Sequence, residues 1–273
     1  MIKMIKMILD NDVDKIKMYD EVGIDRIFLD LENNGKIDRQ GGLDTVISDH
    51  TIADVIEARK VIENADLLVR INPIHAHSDE EISAVIDAGA DIIMLPMFKT
   101  KKEVETFIRL VNGAAKTSLL LETSEALARV DEILEVEGID EIHVGLNDLH
   151  LALGLTFMFE LMSGSLLEYL TDKFKAKGIE FGIGGVSRVG TGMLKADNIL
   201  NEHVRLGSTR VILSRAFKDV NMDPSSLKAE VLKIDKVVCD AKKKSELELL
   251  KSRIELREQV KAIVSKTLNG SNS

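Results

Sequence analysis

Two acidic residues each follow an apolar run: Glu122 ends LLLE (Leu119–Glu122), and Asp148 closes HVGLND (His143–Asp148). Carboxylates on neighbouring strands suit a hard cation such as Mg²⁺ or Mn²⁺, which takes one or two protein carboxylates and leaves its other positions to water and substrate. Acidic residues are also common at helix N-termini, and either residue can instead cap a helix or pair with a basic neighbour. Arg70 directly follows Leu67, Leu68 and Val69. A guanidinium there can grip a carboxylate or an enolate oxygen with a fork of donors. It can equally pair with Asp30 or Glu32, and both can hold at once. His50 lies in the long loop after Ile27–Glu32, from which it can reach over a site as a general base. Its plainer reading is capping or exposure ahead of a helix starting at Thr51. His143, inside an apolar run, reads as a core residue. His150, two residues after Asp148, is placed to orient a water on the cation. His75, His77 and His203 read as solvated loop or helix-face positions.

The elements that must hold these residues show in a repeat. GIDRIFLDL from Gly23, GADIIMLPM from Gly89, GIDEIHVGL from Gly138, GIEFGIGGV from Gly178 and GSTRVILSR from Gly207 share a helix-stopping Gly, a polar step and an apolar strand. Gly serves there because helices often end on a left-handed residue. The strands are nearly continuous apolar runs, which marks a parallel sheet buried on both faces. Three more strands are read at Lys3–Leu9, Leu67–Ile71 and Thr117–Leu121. Amphipathic stretches at Thr51–Glu63, Asp79–Ala88, Thr100–Val111, Ser124–Glu135 and Ala196–Arg205 separate the strands. Eight strands alternating with helices predict an α/β fold, a (β/α)₈ TIM barrel over residues 1–240. A doubly wound open sheet is the runner-up, but ILDNDVDK lacks the Gly-rich turn expected after its first strand.

Residues 241–273 form a charged extension with Leu247, Leu250, Ile254, Val260 and Ile263 near helical spacing. Ser245 and Glu248 suggest a capping box that starts an amphipathic helix. It either packs on its own barrel or reaches a neighbouring subunit, and Asn269–Ser273 should fray.

In such barrels the chemistry sits at the C-terminal ends of the strands. Those ends carry Asp30–Leu31–Glu32, Arg70–Pro73, Pro96–Met97, Glu122, Gly145–Asp148, Gly184–Gly185 and Ser214–Arg215. Gly145 and Asn147, beside Asp148, are placed to contact substrate. Gly184, Gly185, Ser187, Arg188, Ser214 and Arg215 fall where barrels often seat phosphate, or else form a Gly-rich turn with surface ion pairs. A Schiff-base route needs a lysine at the mouth, and none falls in strands 5 to 8 as read here.

Composition limits the partners. The 273 residues include 36 basic and 46 acidic ones, for a net charge of −10. Such a chain repels phosphate backbones, so nucleic acid is not expected. The single cysteine, Cys239, fits a reducing compartment. The start lacks the uninterrupted apolar stretch and cleavage site of a secretion signal, and no run reaches a membrane span; a cytoplasmic location is expected.

The rim motifs resemble the HpcH/HpaI aldolase and citrate lyase family. The matching pieces are IFLDLE (Ile27–Glu32), LLVRINP (Leu67–Pro73), DAGADIIMLPM (Asp87–Met97), LLLET (Leu119–Thr123) and above all VEGIDEIHVGLNDLHLALGL (Val136–Leu155), within a likeness over about residues 1–220. The resemblance implies a metal-dependent lyase acting on 2-oxo acids or acyl thioesters, with a divalent metal on Glu122 and Asp148 and the oxo-acid on Arg70. It also implies a homo-oligomer, a trimer or hexamer, in which Asp87 helps complete a neighbour's site. The sequence departs from the aldolase branch at Asn33, where that branch has His, and at Leu146–Asn147, where it usually has Pro-Ala. The leading expectation is a class II aldolase or C–C lyase forming a pyruvate enolate, with Arg70, His50 and Asp87 as its catalytic set. The alternatives are a lyase of a phosphorylated or acyl-thioester substrate, and an inactive metal-binding barrel serving as a binding component.

Overall fold

The computed structural model describes residues 3–33, 50–218 and 223–270. Among them the strands are β1 Ile5–Leu9, β2 Arg26–Asp30, β3 Asp66–Arg70, β4 Ile92–Leu95, β5 Lys116–Leu121, β6 Glu141–Val144, β7 Glu180–Val186 and β8 Arg210–Leu213. They follow one another in sequence order and close into a barrel. The helices, in chain order, are α1 Val13–Val22, α2 Ile52–Val61, α3 Ser78–Asp87, α4 Lys101–Val111, α5 Ser124–Ala128, α6 Val130–Ile133, α7 Leu146–Ala152, α8 Glu160–Ser163, α9 Leu166–Ala176, α10 Ala196–Leu206, α11 Pro224–Ala241 and α12 Glu246–Gly270. The fold is thus the expected (β/α)₈ barrel with a C-terminal helix. No helix among the described residues is long and apolar enough to cross a membrane.

The repeat read from sequence has a backbone cause. Gly23, Gly89, Gly138, Gly178 and Gly207 all adopt positive φ, between 69° and 90°, a region in which a Cβ would clash. Gly23, Gly89, Gly178 and Gly207 each close a helix end and turn the chain toward the next strand, whereas Gly138 lies in the turn that follows α6, beyond its cap at Leu134. Capping boxes start α2 at Thr51/Asp54 and α4 at Thr100/Glu103. The stretch Ser124–Glu135 is not one helix. It breaks at Arg129 (φ −107°, ψ 18°) into α5 and α6.

The chain divides into two compact units, Met7–Ile142 and Met1–Lys6 with His143–Ser273. In the first, β2 pairs with β3 in parallel with Asp30 opposite Arg70. Strand β5 starts one residue earlier than read from sequence, at Lys116, so a lysine does lie in this strand. It is exposed, at the end of the strand opposite Glu122.

In the second unit, α12 packs on its own chain, against α10 and α8. The Ser245/Glu248 capping box is formed, with Ser245 N donating to Glu248 Oε2 at 2.8 Å and Glu248 N to Ser245 Oγ at 3.3 Å. Leu256 and Val260 are buried. Arg253 makes a two-pronged contact with Glu168 at 2.6 and 2.8 Å. Leu247, Leu250 and Ile254 remain exposed. The helix is described to Gly270, and residues 271–273, where most of the expected fray falls, lie outside the described ones.

His203, read as solvated, is instead part of the packed interior. That residue is fully buried on α10, and its Nδ1 hydrogen-bonds Ser208 Oγ at 2.9 Å. Burial, with a smaller push from His143, lowers its pKa to about 3. The imidazole therefore stays neutral in the fold, while the unfolded chain takes up a proton near pH 6.5. Since the unfolded state binds the extra proton between pH 6.5 and about 3, stability falls across that window as pH falls. The slope attributable to one such group is roughly 1.4 kcal/mol per pH unit. Urea unfolding of His203→Gln between pH 6 and 4 should show a shallower slope than the parent by about this amount. An unchanged slope would mean that His203 is protonated in the fold.

Candidate active site

Strand β3 delivers Arg70 to the C-terminal end of the strands, and its register with β2 sets Asp30 directly opposite. The result is a two-pronged ion pair: Nε donates to Asp30 Oδ1 and Nη2 to Asp30 Oδ2, both at 2.8 Å. Glu32 Oε2 lies 3.4 Å from Nη2, and the guanidinium sits 5.7 Å from the centre of the Phe28 ring. Burial alone would lower the Arg70 pKa, but Asp30, then Glu32 and Glu122, outweigh it and raise the value well above the usual range. Arg70 is therefore a permanent cation. Two of its three nitrogens already face carboxylates, so the fork does not stand open for a substrate. The nitrogen without such a contact is Nη1.

His50 is buried at the start of α2, not exposed. Its Nδ1 accepts a hydrogen bond from the Asp30 backbone N–H at 3.0 Å. Capping of α2 falls to Thr51. With Nδ1 as acceptor, the neutral ring carries its proton on Nε2. Protonating Nδ1 would set one N–H against another, so this nitrogen is engaged by the Asp30 backbone.

Glu122 is 3 % exposed, directly after β5. It does not cap α5, because Thr123 does so through Oγ1 to Ala126 N at 3.1 Å. Instead, one Glu122 oxygen accepts from Met97 N at 3.2 Å. Met97 follows β4 and has φ 52°, a left-handed conformation uncommon for a non-Gly residue. Such strain is kept where surrounding structure imposes it, often at sites. No sequence signal marked Met97 for this role. Asn72 helps to frame the same end: it accepts from Asn33 N at 2.9 Å and donates to Glu81 at 2.7 Å.

Asp87 is exposed at the last residue of α3. The end of a helix lies near the start of the following strand, so Asp87 is not gathered with Arg70 and Glu122. A carboxylate at a helix C-terminus is disfavoured by the dipole, so its place there is not explained by helix stability. His75 is half-buried and bonded to Glu81 at 3.1 Å, whereas His77 is exposed.

In the second unit, Gly145 is the N-cap of α7, and Leu146, Asn147 and Asp148 form its first turn. Gly145, Asn147 and Asp148 are all half-buried. His150 turns Nδ1 back onto the carbonyls of Leu146 and Asn147, so that nitrogen serves the helix rather than a water. His143 is buried, as read, with Nε2 3.0 Å from Gly184 O. The GIGGV glycines are packing devices. A Cβ on Gly182 would lie 2.3 Å from His143 Nδ1, one on Gly184 2.6 Å from Leu146 Cδ1, and one on Gly185 3.0 Å from Ile212 O.

Among the described residues no group of three or more His, Cys, Asp or Glu side chains clusters as a metal cage. Mg²⁺ and Mn²⁺ do not require one, since one or two carboxylates can suffice. The donor chemistry of Glu122 and Asp148 fits such a hard ion. The two lie in different units of the chain, Glu122 after β5 and Asp148 in the first turn of α7.

A closed parallel barrel whose strand ends carry buried carboxylates around an arginine defines a barrel enzyme scaffold. Residues 10–201 match the family described as HpcH/HpaI aldolase/citrate lyase, and the chain belongs to that family. A hydroxypyruvate/pyruvate aldolase of Rhizorhabdus wittichii is 32% identical over 143 residues, covering 40% of this chain and 57% of that protein. The chain therefore spans little more than half of that relative in the match. Among solved structures, an HpcH/HpaI aldolase from Desulfitobacterium hafniense superposes with TM-score 0.61 at 16% identity, covering 86% of this chain and 93% of that one. The citrate synthase SbnG superposes with TM-score 0.61 at 20% identity, covering 85% and 94%. At such identities the structures speak to the fold alone.

Proposed function

We propose that the chain is a divalent-metal-dependent aldolase or C–C lyase that cleaves or forms a bond next to the methyl carbon of a pyruvate unit. The observation that carries the reading is Glu122. It is buried at the end of β5, oriented by Met97 N and relieved of helix capping by Thr123. Family membership and the pyruvate aldolase relative support the same reaction class. Glu122 and Asp148 would hold Mg²⁺ or Mn²⁺, which when bound supplies Lewis-acid stabilisation of a 2-oxo acid's developing enolate.

The chain's own residues have separate tasks. Arg70, fixed by Asp30, directs Nη1 at an oxygen where negative charge grows, which is worth more in the transition state than in the ground state. His50 donates through Nε2 and helps to orient the reactants. Gly145 and Asn147 line the substrate beside Asp148. In the cleavage direction the hydroxyl proton leaves to water, the C–C bond breaks toward the enolate, and the aldehyde departs. The enolate carbon then takes a proton to give the 2-oxo acid.

The reading extends to a cytoplasmic homo-oligomer in which Asp87, exposed at the end of α3, serves a neighbouring copy. Light scattering that finds a monomer at micromolar concentration removes Asp87 from the site.

Chelation should abolish turnover of 2-oxo acids and Mn²⁺ should restore it, while borohydride with pyruvate should leave no covalent adduct. Chelator-resistant turnover, or a trapped lysine, contradicts the metal route. A second test separates the two roles of His50. Loss of a general base costs about 10²–10⁴-fold, whereas a donor through Nε2 can be replaced by an amide. His50→Gln should therefore keep at least about a tenth of the parent kcat, and its pH profile should keep the parent's limbs. A larger loss together with a vanished acid limb would restore His50 as the base.

A further inference from the structure

Arginines in this chain that are not exposed have carboxylate partners, with one exception among the described residues. Arg26 pairs with Glu141, Arg59 with Asp91, Arg70 with Asp30, Arg205 with Glu202, Arg210 with Glu180 and Arg253 with Glu168. Arg188 is half-buried, its Nε is sealed from solvent, and that nitrogen meets no acceptor. Withdrawing part of a guanidinium from water without an anion is unfavourable. In a chain with 46 acidic residues it is not for want of partners.

The backbone around Arg188 is held firmly. Thr191 N and Thr191 Oγ1 both donate to Arg188 O, at 3.0 and 2.8 Å. Gly190 has φ 84°, as the third position of a type II turn requires. Ser187 Oγ and Thr191 Oγ1 lie 2.9 Å apart and hydrogen-bond each other. The turn follows β7 at the end of the strand where barrel enzymes place substrate contacts. At the neighbouring Gly184 and Gly185, Leu146 and Ile212 O occupy the space a side chain would take. Arg215 is exposed. Of the residues at the ends of β7 and β8, Arg188 is thus the one whose charge is positioned without an internal use.

We propose that Arg188 is an anion subsite that binds a carboxylate or phosphate group, a second anionic group of the substrate. Only the description of this anion as part of a substrate rests on the reaction proposed above. A planar guanidinium with several N–H donors suits either oxyanion. The inference narrows the substrate class to molecules that carry a second anionic group.

The test is direct binding, so it does not depend on turnover. Calorimetric titration of the full chain with inorganic phosphate and, separately, with succinate is carried out in chelator, which keeps the anions from binding through a metal. Arg188→Met, Arg188→Lys and Arg215→Met are compared. Saturable one-site binding of phosphate, succinate or both is expected. Arg188→Met should weaken it by about tenfold to a hundredfold, Arg188→Lys less, and Arg215→Met not at all. Which anion binds identifies the source of the oxyanion. Absence of saturable binding for both anions overturns the subsite, as does equal binding by a folded Arg188→Met. If anion binding passes this test while chelation leaves turnover untouched, the subsite stands and the metal reading fails.

Discussion

Glu122→Gln and Asp148→Asn are each expected to weaken Mn²⁺ binding by more than about a hundredfold in calorimetry, with circular dichroism unchanged. The scale follows from metal sites generally, where loss of even an outer-shell partner costs about 10–100-fold. Each substitution keeps the side chain's shape and removes its charge. Gln at position 122 can still accept from Met97 N, and the Thr123 cap of α5 is untouched, so the fold should survive. Asn at position 148 forgoes the favourable meeting of an anion with the first turn of α7. That loss is about 0.3–1 kcal/mol, too little to unfold a domain of this size. Parent-like Mn²⁺ affinity in both variants would remove these residues from the metal site.

The second large effect concerns stability. Arg26 and Glu141, the first residues of β2 and β6, form a fully buried two-pronged pair at 2.6 and 3.0 Å. Asp66 Oδ2 lies 3.5 Å from Arg26 Nε, but its side chain is half-exposed. Arg26→Met leaves a buried carboxylate and should cost about 3–5 kcal/mol in urea unfolding at pH 7. Adding Glu141→Leu should recover most of that loss, because an apolar pair of similar volume often replaces a buried ion pair at little cost. A single variant that loses less than about 1 kcal/mol would show that the pair does not hold this end of the barrel. A double variant no more stable than the single one would show that Glu141 was not the orphaned charge.

The pattern Gly–polar step–apolar strand made the barrel legible, because a parallel strand buried on both faces must read as an apolar run and its preceding helix must stop. It also carries a charge signal: Arg26 and Glu141 occupy the same position in the GIDR and GIDE repeats, so opposite charges at one level of the barrel are visible in the sequence. Arg70 and its Asp30 and Glu32 partners were legible because cross-strand neighbours follow from strand order. What sequence could not give was direction. Nothing in the residues around His50 says that Asp30 N would take up Nδ1, and nothing in Pro96–Met97 predicts a left-handed residue aimed at Glu122. The misreading of His203 has a different origin. Its ring bonds Ser208 and lies near enough to His143 of β6 to feel its charge, a tertiary neighbourhood that a lone His among polar helix residues does not announce, while α12 covers α10 elsewhere, at Asn201 and Glu202. The same cover explains why Leu256 and Val260 are inside while Leu247, Leu250 and Ile254 of the same helix are not.

The proposed reaction forms a pyruvate enolate with the help of a divalent ion. Proton NMR of pyruvate in deuterium oxide tests it without knowledge of the aldehyde partner, because a reversible enolate exchanges the methyl protons with solvent. The account predicts loss of the methyl signal with the parent protein and Mn²⁺ or Mg²⁺, with exchange abolished by chelator and by Glu122→Gln. Exchange that persists in chelator, or a methyl signal that stays intact with metal-loaded parent protein, would contradict it.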